Sequence, residues 1–215
     1  MPRVTRPPPA PPRLVVLALD AAWDRTGWAI CDADGPLVFG DARPDGEWRH
    51  AKADALFREL RAEAQELAIG RDADPILVVE RCGTHYSWQA PKRGKDDQRG
   101  ADPTRVVRGL SEIVGSSANA GVGVGWRYPW LIEPNDWRSW WRLRGGGREK
   151  VKAAAVALVG CAWPAVGKVL EARGDAGDVA EAILLGVGAA RRSTEAPTGP
   201  KRAIGGVADV WGRLA

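Results

Sequence analysis

The sequence predicts an α/β fold in which a mixed five-stranded sheet is flanked by helices within a single domain. Three observations carry this. Apolar, β-branched-rich runs of strand length occur at 14–19 ("LVVLAL") and 75–80 ("PILVVE"), and continuous runs of this kind mark strands covered on both faces. Segments of helical period stand between or after them, at 51–68, 148–159 and 175–191. Strands joined through helices imply parallel pairing with right-handed crossovers, whereas the first three strands, joined by tight turns, should run antiparallel.

The first strand ends on a carboxylate, Asp20, and the turn-like Asp24-Arg25-Thr26-Gly27 leads into a second strand at 28–31. "PLVFG" (36–40) supplies the third. A helix over 51–68 collects Leu56, Phe57, Leu60, Ala64 and Leu67 on one face, with charges opposite. The strand at 75–80 also ends on an acid, Glu80. Residues 81–103 show no periodicity and read as a long loop, and loops of that length in compact domains usually serve function. A helix over 104–118, a strand over 130–133 stopped by Pro134, and a helix over 148–159 led in by Gly145, Gly146 and Gly147 follow. The final helix, 175–191, carries Val179, Ile183, Leu184 and Val187 as its apolar stripe. The organisation is a Pro-rich basic arm over 1–13, a folded domain over 14–192 and a polar tail over 193–215.

A chain of 215 residues that is 45% hydrophobic can bury one substantial core and is short for two large domains. No apolar run approaches the roughly 20 residues that cross a bilayer, and the basic arm lacks the apolar segment of a secretory signal. Cys31, Cys82 and Cys161 are odd in number and scattered, which fits a reducing compartment. Cys82 and His85 are two ligands without a second pair, too few for a zinc site. The expectation is a cytoplasmic protein that does not associate with membranes.

The net charge of +4 says less than its distribution. Between 138 and 152 six basic residues (Arg138, Arg142, Arg144, Arg148, Lys150, Lys152) face one acid, Glu149. Between 81 and 108 seven basic residues accompany Asp96, Asp97 and Asp102. Such density suits a phosphate backbone. The chain has eleven tryptophans, some inside these stretches. Indoles can stack on bases, although most are expected to pack in the core.

Asp20 alone could be a turn-capping residue, and an acid in a first helical turn favours the helix dipole. The set is harder to explain that way. Two strands end on acids, Asp20 and Glu80, and their tips, set side by side, would bring both carboxylates to one edge of the sheet. "GDAGDVAEA" places Asp175 and Asp178 three apart, on one helix face. Ala176 and Gly177 between them leave room for close approach. Carboxylates that converge repel one another unless a cation intervenes, and hard oxygen ligands suit Mg²⁺ or Mn²⁺. Two such ions roughly 3.5–4 Å apart activate a water and clamp a phosphate. With the basic flanks, this describes a nuclease.

Asp20 with the following "TGWAI" hairpin, Glu80 closing "ILVVE", and "DAGDVAEAI" on the last helix resemble the RuvC-type Holliday-junction resolvases among the RNase H-like nucleases. The resemblance spans roughly 14–191. It implies an RNase H-like fold and a catalytic, metal-holding set of Asp20, Glu80, Asp175 and Asp178. It also implies two Mg²⁺ per site, with Mn²⁺ able to substitute, and a homodimer that cuts four-way junctions by paired symmetric nicks leaving 5′-phosphates. "GGGREKVKAAAVALV" resembles the family's basic lead into the penultimate helix, which makes Arg148 and Lys150 candidates for scissile-strand contact, with Arg144 beside them. The dimer surface is expected on the helix after Glu80, at Val106, Val107, Leu110, Ile113 and Val114. A bacterial or phage-infected cell is the implied setting. The tryptophan-rich "WLIEPNDWRSWWRLRGGG" and residues 81–103 depart from the family pattern, and substrate selectivity stays open. An RNase H-like nuclease for another branched or hybrid substrate shares every acid. An actin-like ATPase also has an Asp-ended first strand, and a non-catalytic junction-binding protein would share the surface.

The loop after Glu80 would hang over bound DNA. It carries Tyr86 and Trp88 with the cations Lys92, Arg93, Lys95 and Arg99. Base–aromatic stacking is worth roughly 1–3 kcal/mol per base, enough to hold open a strained pair at a junction centre. Tyr86→Ala and Trp88→Ala are expected to slow junction cutting while leaving the fold and plain-duplex binding intact. Parental rates in both variants, measured on a synthetic junction, would reduce the loop to packing.

Overall fold

The computed structural model describes residues 13–20, 25–42, 49–80, 130–143, 147–173 and 176–193. Five strands, β1 (Leu14–Asp20), β2 (Thr26–Cys31), β3 (Pro36–Ala42), β4 (Asp74–Glu80) and β5 (Trp130–Ile132), form one sheet in the order β3-β2-β1-β4-β5. The first three run antiparallel, while β1 with β4 and β4 with β5 run parallel. The expected mixed sheet is therefore present. The helices are α1 (Arg49–Ile69), α2 (Pro134–Trp140), α3 (Arg148–Ala162), α4 (Pro164–Glu171) and α5 (Ala176–Ser193).

β1 is buried along its whole length, as its unbroken apolar run requires. Its side chains alternate between two cores. Val15, Leu17 and Leu19, with Ile30, Leu77 and Val79, meet Leu60, Ala64 and Ala68 of α1. Val16 and Ala18, with Ala29, Cys31, Ile76 and Val78, face α5 and, behind it, α2, α3 and α4. α5 is buried from Asp178 to Ala190 rather than along one stripe, because it lies between the sheet and other helices. Its apolar residues accordingly run round the cylinder.

Two features differ from the sequence reading. Pro134 does not merely stop a strand: it opens α2, where a missing N–H costs nothing at the first helical position and φ is already set. Pro164 does the same for α4, a separate helix after Trp163. The helix expected over 104–118, its apolar residues 106–114, the loop 81–103 and both terminal segments lie outside the described residues.

The tryptophans of the 130–163 region pack rather than stand free. Trp137 is fully buried. The Trp141 Nε1–H donates to the Leu184 carbonyl at 2.8 Å, and the Trp163 Nε1–H to the Asp34 carbonyl at 3.0 Å. Arg191 lies over the rings of both Trp141 and Trp163, and Arg192 over Trp140. These indoles fasten α2 and the α3–α4 corner to α5 and to the β2–β3 turn, so the described part of this stretch is structural.

Gly27 fixes where α5 meets the sheet. It pairs with Asp20 across β1 and β2, and a Cβ at this position would stand 2.2 Å from the Asp178 carbonyl oxygen and 2.4 Å from its carbon. Backbone cannot yield as a side-chain tip can. Gly27→Ala is therefore expected to cost about 1–3 kcal/mol or more by overpacking, roughly 2–4 °C of Tm per kcal/mol for a chain of this size. Gly70→Ala, where the nearest contact is an ordinary 3.5 Å, should stay within about 0.5 kcal/mol. Thermal unfolding of the two variants checks the contrast.

Candidate metal centre

Parallel pairing of β1 with β4 puts the two acid-ended tips side by side, and α5 arrives over them because Gly27 admits it. Asp20 and Asp178 are both buried, and so is Glu181, one helical turn beyond Asp178. Each of these three acids offers a carboxylate oxygen, and the three oxygens lie within 4.8 Å of one another. Glu80 adjoins the trio: among neighbouring acids it repels Asp20 most strongly, and a shared guanidinium links it to Glu181.

Two cations meet these acids from inside the protein. Lys152 on α3 places Nζ 2.5 Å from Asp178 Oδ1. Its stem crosses Gly177, where a Cβ would come within 2.9 Å of the lysine Cβ and Cδ. The small residue expected to admit a close neighbour thus admits Lys152. Arg138 on α2 has Nη2 at 3.4 Å from Glu181 Oε1 and 3.8 Å from Glu80 Oε1. The adjacent Trp137 donates its Nε1–H to Glu80 Oε2 at 2.8 Å. Arg148, one turn before Lys152, reaches Asp178 Oδ1 only at 3.9 Å and is 63% exposed. Lys150 is exposed on the same helix.

Burial dominates the electrostatics. It pushes the Asp20 carboxyl well up from its ordinary value, with Glu80, Glu181 and Asp178 adding repulsion and Lys152 opposing them. Burial also raises Glu80 to about 7 against the pull of Arg138 and the Trp137 hydrogen bond. Glu181 is raised for the same first reason, with Arg138 and Lys152 opposing. At Glu80 and Glu181 loss of water outweighs the favourable pull of the neighbouring cations, whereas at Asp20 three neighbouring acids add to it and Lys152 opposes them. An all-oxygen donor set, buried and short of positive charge, fits a hard divalent cation such as Mg²⁺ or Mn²⁺.

Of the residues singled out in the sequence, Asp20, Glu80 and Asp178 come together, and Arg148 stands at their rim. Asp175, Arg144, Tyr86, Trp88, Lys92, Arg93 and Lys95 lie outside the described residues. The sequence reading missed Glu181, Lys152, Arg138 and Trp137. Glu181 had a signal: it continues the spacing of three that paired Asp175 with Asp178. The cations had none, because Arg138 and Lys152 sat among six basic residues that as a group suited DNA. Those two turn inward, onto carboxylates.

Solved structures with a similar fold include Thermus thermophilus RuvC in complex with a Holliday junction substrate, at TM-score 0.54 and 12% identity, covering 85% of this chain and 96% of that one. The fold is that of the RuvC-type resolvases. A second Thermus thermophilus RuvC structure aligns at TM-score 0.52 and 10% identity, over 85% of this chain and 97% of that one. The yeast mitochondrial Holliday junction resolvase Ydc2 aligns at TM-score 0.52 and 12% identity, over 87% of this chain and 82% of that one. No protein-family model matches the sequence, and no curated protein matches it. What is shared is the path of the backbone.

The raised carboxyls predict how metal-free stability depends on pH. A carboxyl whose folded pKa exceeds its unfolded value favours folding fully below the unfolded value, and that contribution is lost as pH rises through the folded one. For Glu80 the window runs from 4.5 to about 7. In chelator, unfolding free energy should therefore fall between pH 5 and pH 8, by up to about 1.4 kcal/mol per pH unit for each group titrating, and Tm should fall with it. Glu80→Gln should flatten the profile. A Tm that is level or rising over this range would contradict the burial of these acids.

Proposed function

We propose that this protein is a structure-selective DNA endonuclease that resolves four-way junctions by metal-dependent phosphodiester hydrolysis. The observation that carries the reading is the buried trio Asp20, Asp178 and Glu181, three carboxylate oxygens within 4.8 Å at the tips of β1 and α5, on a fold shared with resolvases. Asp20, Glu80, Asp175 and Asp178 are the proposed ligands of Mg²⁺, two ions per site, with Mn²⁺ able to substitute. Such ions activate a water and stabilise the leaving oxygen of a phosphodiester. The protein's own residues do the rest. Trp137 orients Glu80 through its hydrogen bond. Lys152 holds Asp178 from the α3 side. Arg148 and Lys150, exposed near the start of α3, are suited to grip the phosphate backbone without reading bases.

A four-way junction has two strands to cut, and a two-fold homodimer would bring one site to each. The proposed contact uses Val106, Val107, Leu110, Ile113 and Val114. Two equivalent hydrolytic sites would make paired nicks, and water attack that breaks the P–O3′ bond at each would leave a 3′-hydroxyl and a 5′-phosphate. An RNase H-like nuclease for other branched or hybrid substrates would use the same carboxylates, so the substrate panel decides between the two.

Incubation with a synthetic four-way junction, a flap, an RNA–DNA hybrid and plain duplex tests the reading. Mg²⁺-dependent paired cutting of the junction, abolished by chelator, is the expected result. Asp20→Asn should lose more than the roughly 10–100-fold that outer partners of a metal are worth, with junction binding retained. Brisk cutting by that variant would remove Asp20 from the site, and cutting of the hybrid alone would replace the substrate.

A further inference from the structure

We propose that Arg138 is a positioning residue, a permanent internal counter-ion that holds Glu80 and Glu181 together as the inner wall of the site. It deepens the nuclease reading and takes its significance from it. One guanidinium nitrogen, Nη2, serves two acids from different elements, Glu80 on β4 and Glu181 on α5. The guanidinium carbon lies 5.2 Å from the centroid of the Trp137 ring, and that ring's own N–H holds the other oxygen of Glu80. Consecutive residues of α2 thus grip both oxygens of one carboxylate. Arg138 Nε is buried with no hydrogen-bond partner. The side chain has left one donor unsatisfied in a position where its terminal charge falls between the acids.

The two inward cations are not equivalent. Lys152 touches one acid with a compact ammonium on a flexible stem, able to swing away when another cation arrives. Arg138 is braced by a fully buried indole on one side and by two carboxylates on the other, with a planar head whose charge cannot be removed. It therefore stays when a divalent ion binds. Without it, the partly buried Glu80 and the buried Glu181 would face each other as two charges of one sign, and the link from α2 through β4 to α5 would open.

A charge-dependent role is separable from packing by coupling. In chelator, Arg138→Gln should lower Tm. The same substitution should cost far less in a Glu181→Gln background, because the repulsion it uncovers is already gone. Millimolar Mn²⁺ should recover more than half of the Tm deficit of Arg138→Gln, a larger shift than it gives the parent, and Arg138→Lys should recover part of it without metal. A deficit that is unchanged in the Glu181→Gln background and untouched by Mn²⁺ would make Arg138 a packing residue and overturn the proposal. Should Arg138→Gln fail to fold, folding of Arg138→Gln/Glu181→Gln supports the proposal and its failure to fold counts against it. The chelator comparison involves neither metal nor DNA. A parent that cuts no junction while the coupling holds overturns the cleavage reading and leaves the counter-ion role standing.

Discussion

Four carboxylates lie close together where β1, β4 and α5 meet, three of them buried, and this like-charge crowding organises everything around it. Water cannot screen them there, so their repulsion has to be met by fixed partners. Lys152 is brought over Gly177, and α2 is set down so that Trp137 and Arg138 face Glu80. The surrounding packing exists in part to keep these cations in place: Trp141 binds the α5 backbone, and α3 packs along α5. A core built for stability alone would have put leucine at Glu181.

Much of the fold was legible because the strongest signals were local. The unbroken apolar run of β1 and its Asp20 terminus, the central strand ending on Glu80, and the acidic start of α5 all appear where period and composition put them. What was hidden depended on distance in sequence. Nothing in "NDWRSWW" says that Trp137 will reach back to Glu80, or that the following arginine will bridge two acids more than 40 residues away on either side. Charge density read along the chain treats neighbouring cations alike, whereas a helix sends Arg148 to solvent and Lys152 inward with one turn between them. Glu181 was overlooked for a simpler reason, since the pair Asp175–Asp178 already accounted for the motif.

The tryptophan-rich segment shows how the same composition serves two ends. Large indoles have the flat area to stack on bases. Where the structure describes them, their N–H groups satisfy the Glu80 carboxylate and the carbonyls of Leu184 and Asp34, and their faces receive Arg138, Arg191 and Arg192. An amphipathic ring can bury area and still complete a polar contact. That suits a layer of helices that must be firmly seated yet carry charge to the acids.

The alternation of β1 has a consequence in arithmetic. Val16 and Ala18 face α5, Leu17 and Leu19 face α1, and Asp20 falls on the α5 side by parity. Losing one residue from within β1 would either invert the strand, sending Asp20 to the α1 layer and exchanging the two cores, or keep the cores and pull the acid back from the tip. Losing two would restore the alternation and only shorten the strand. The acid's position is thus tied to an even count from the middle of the sheet, and the chain can vary the length of this segment only in steps of two.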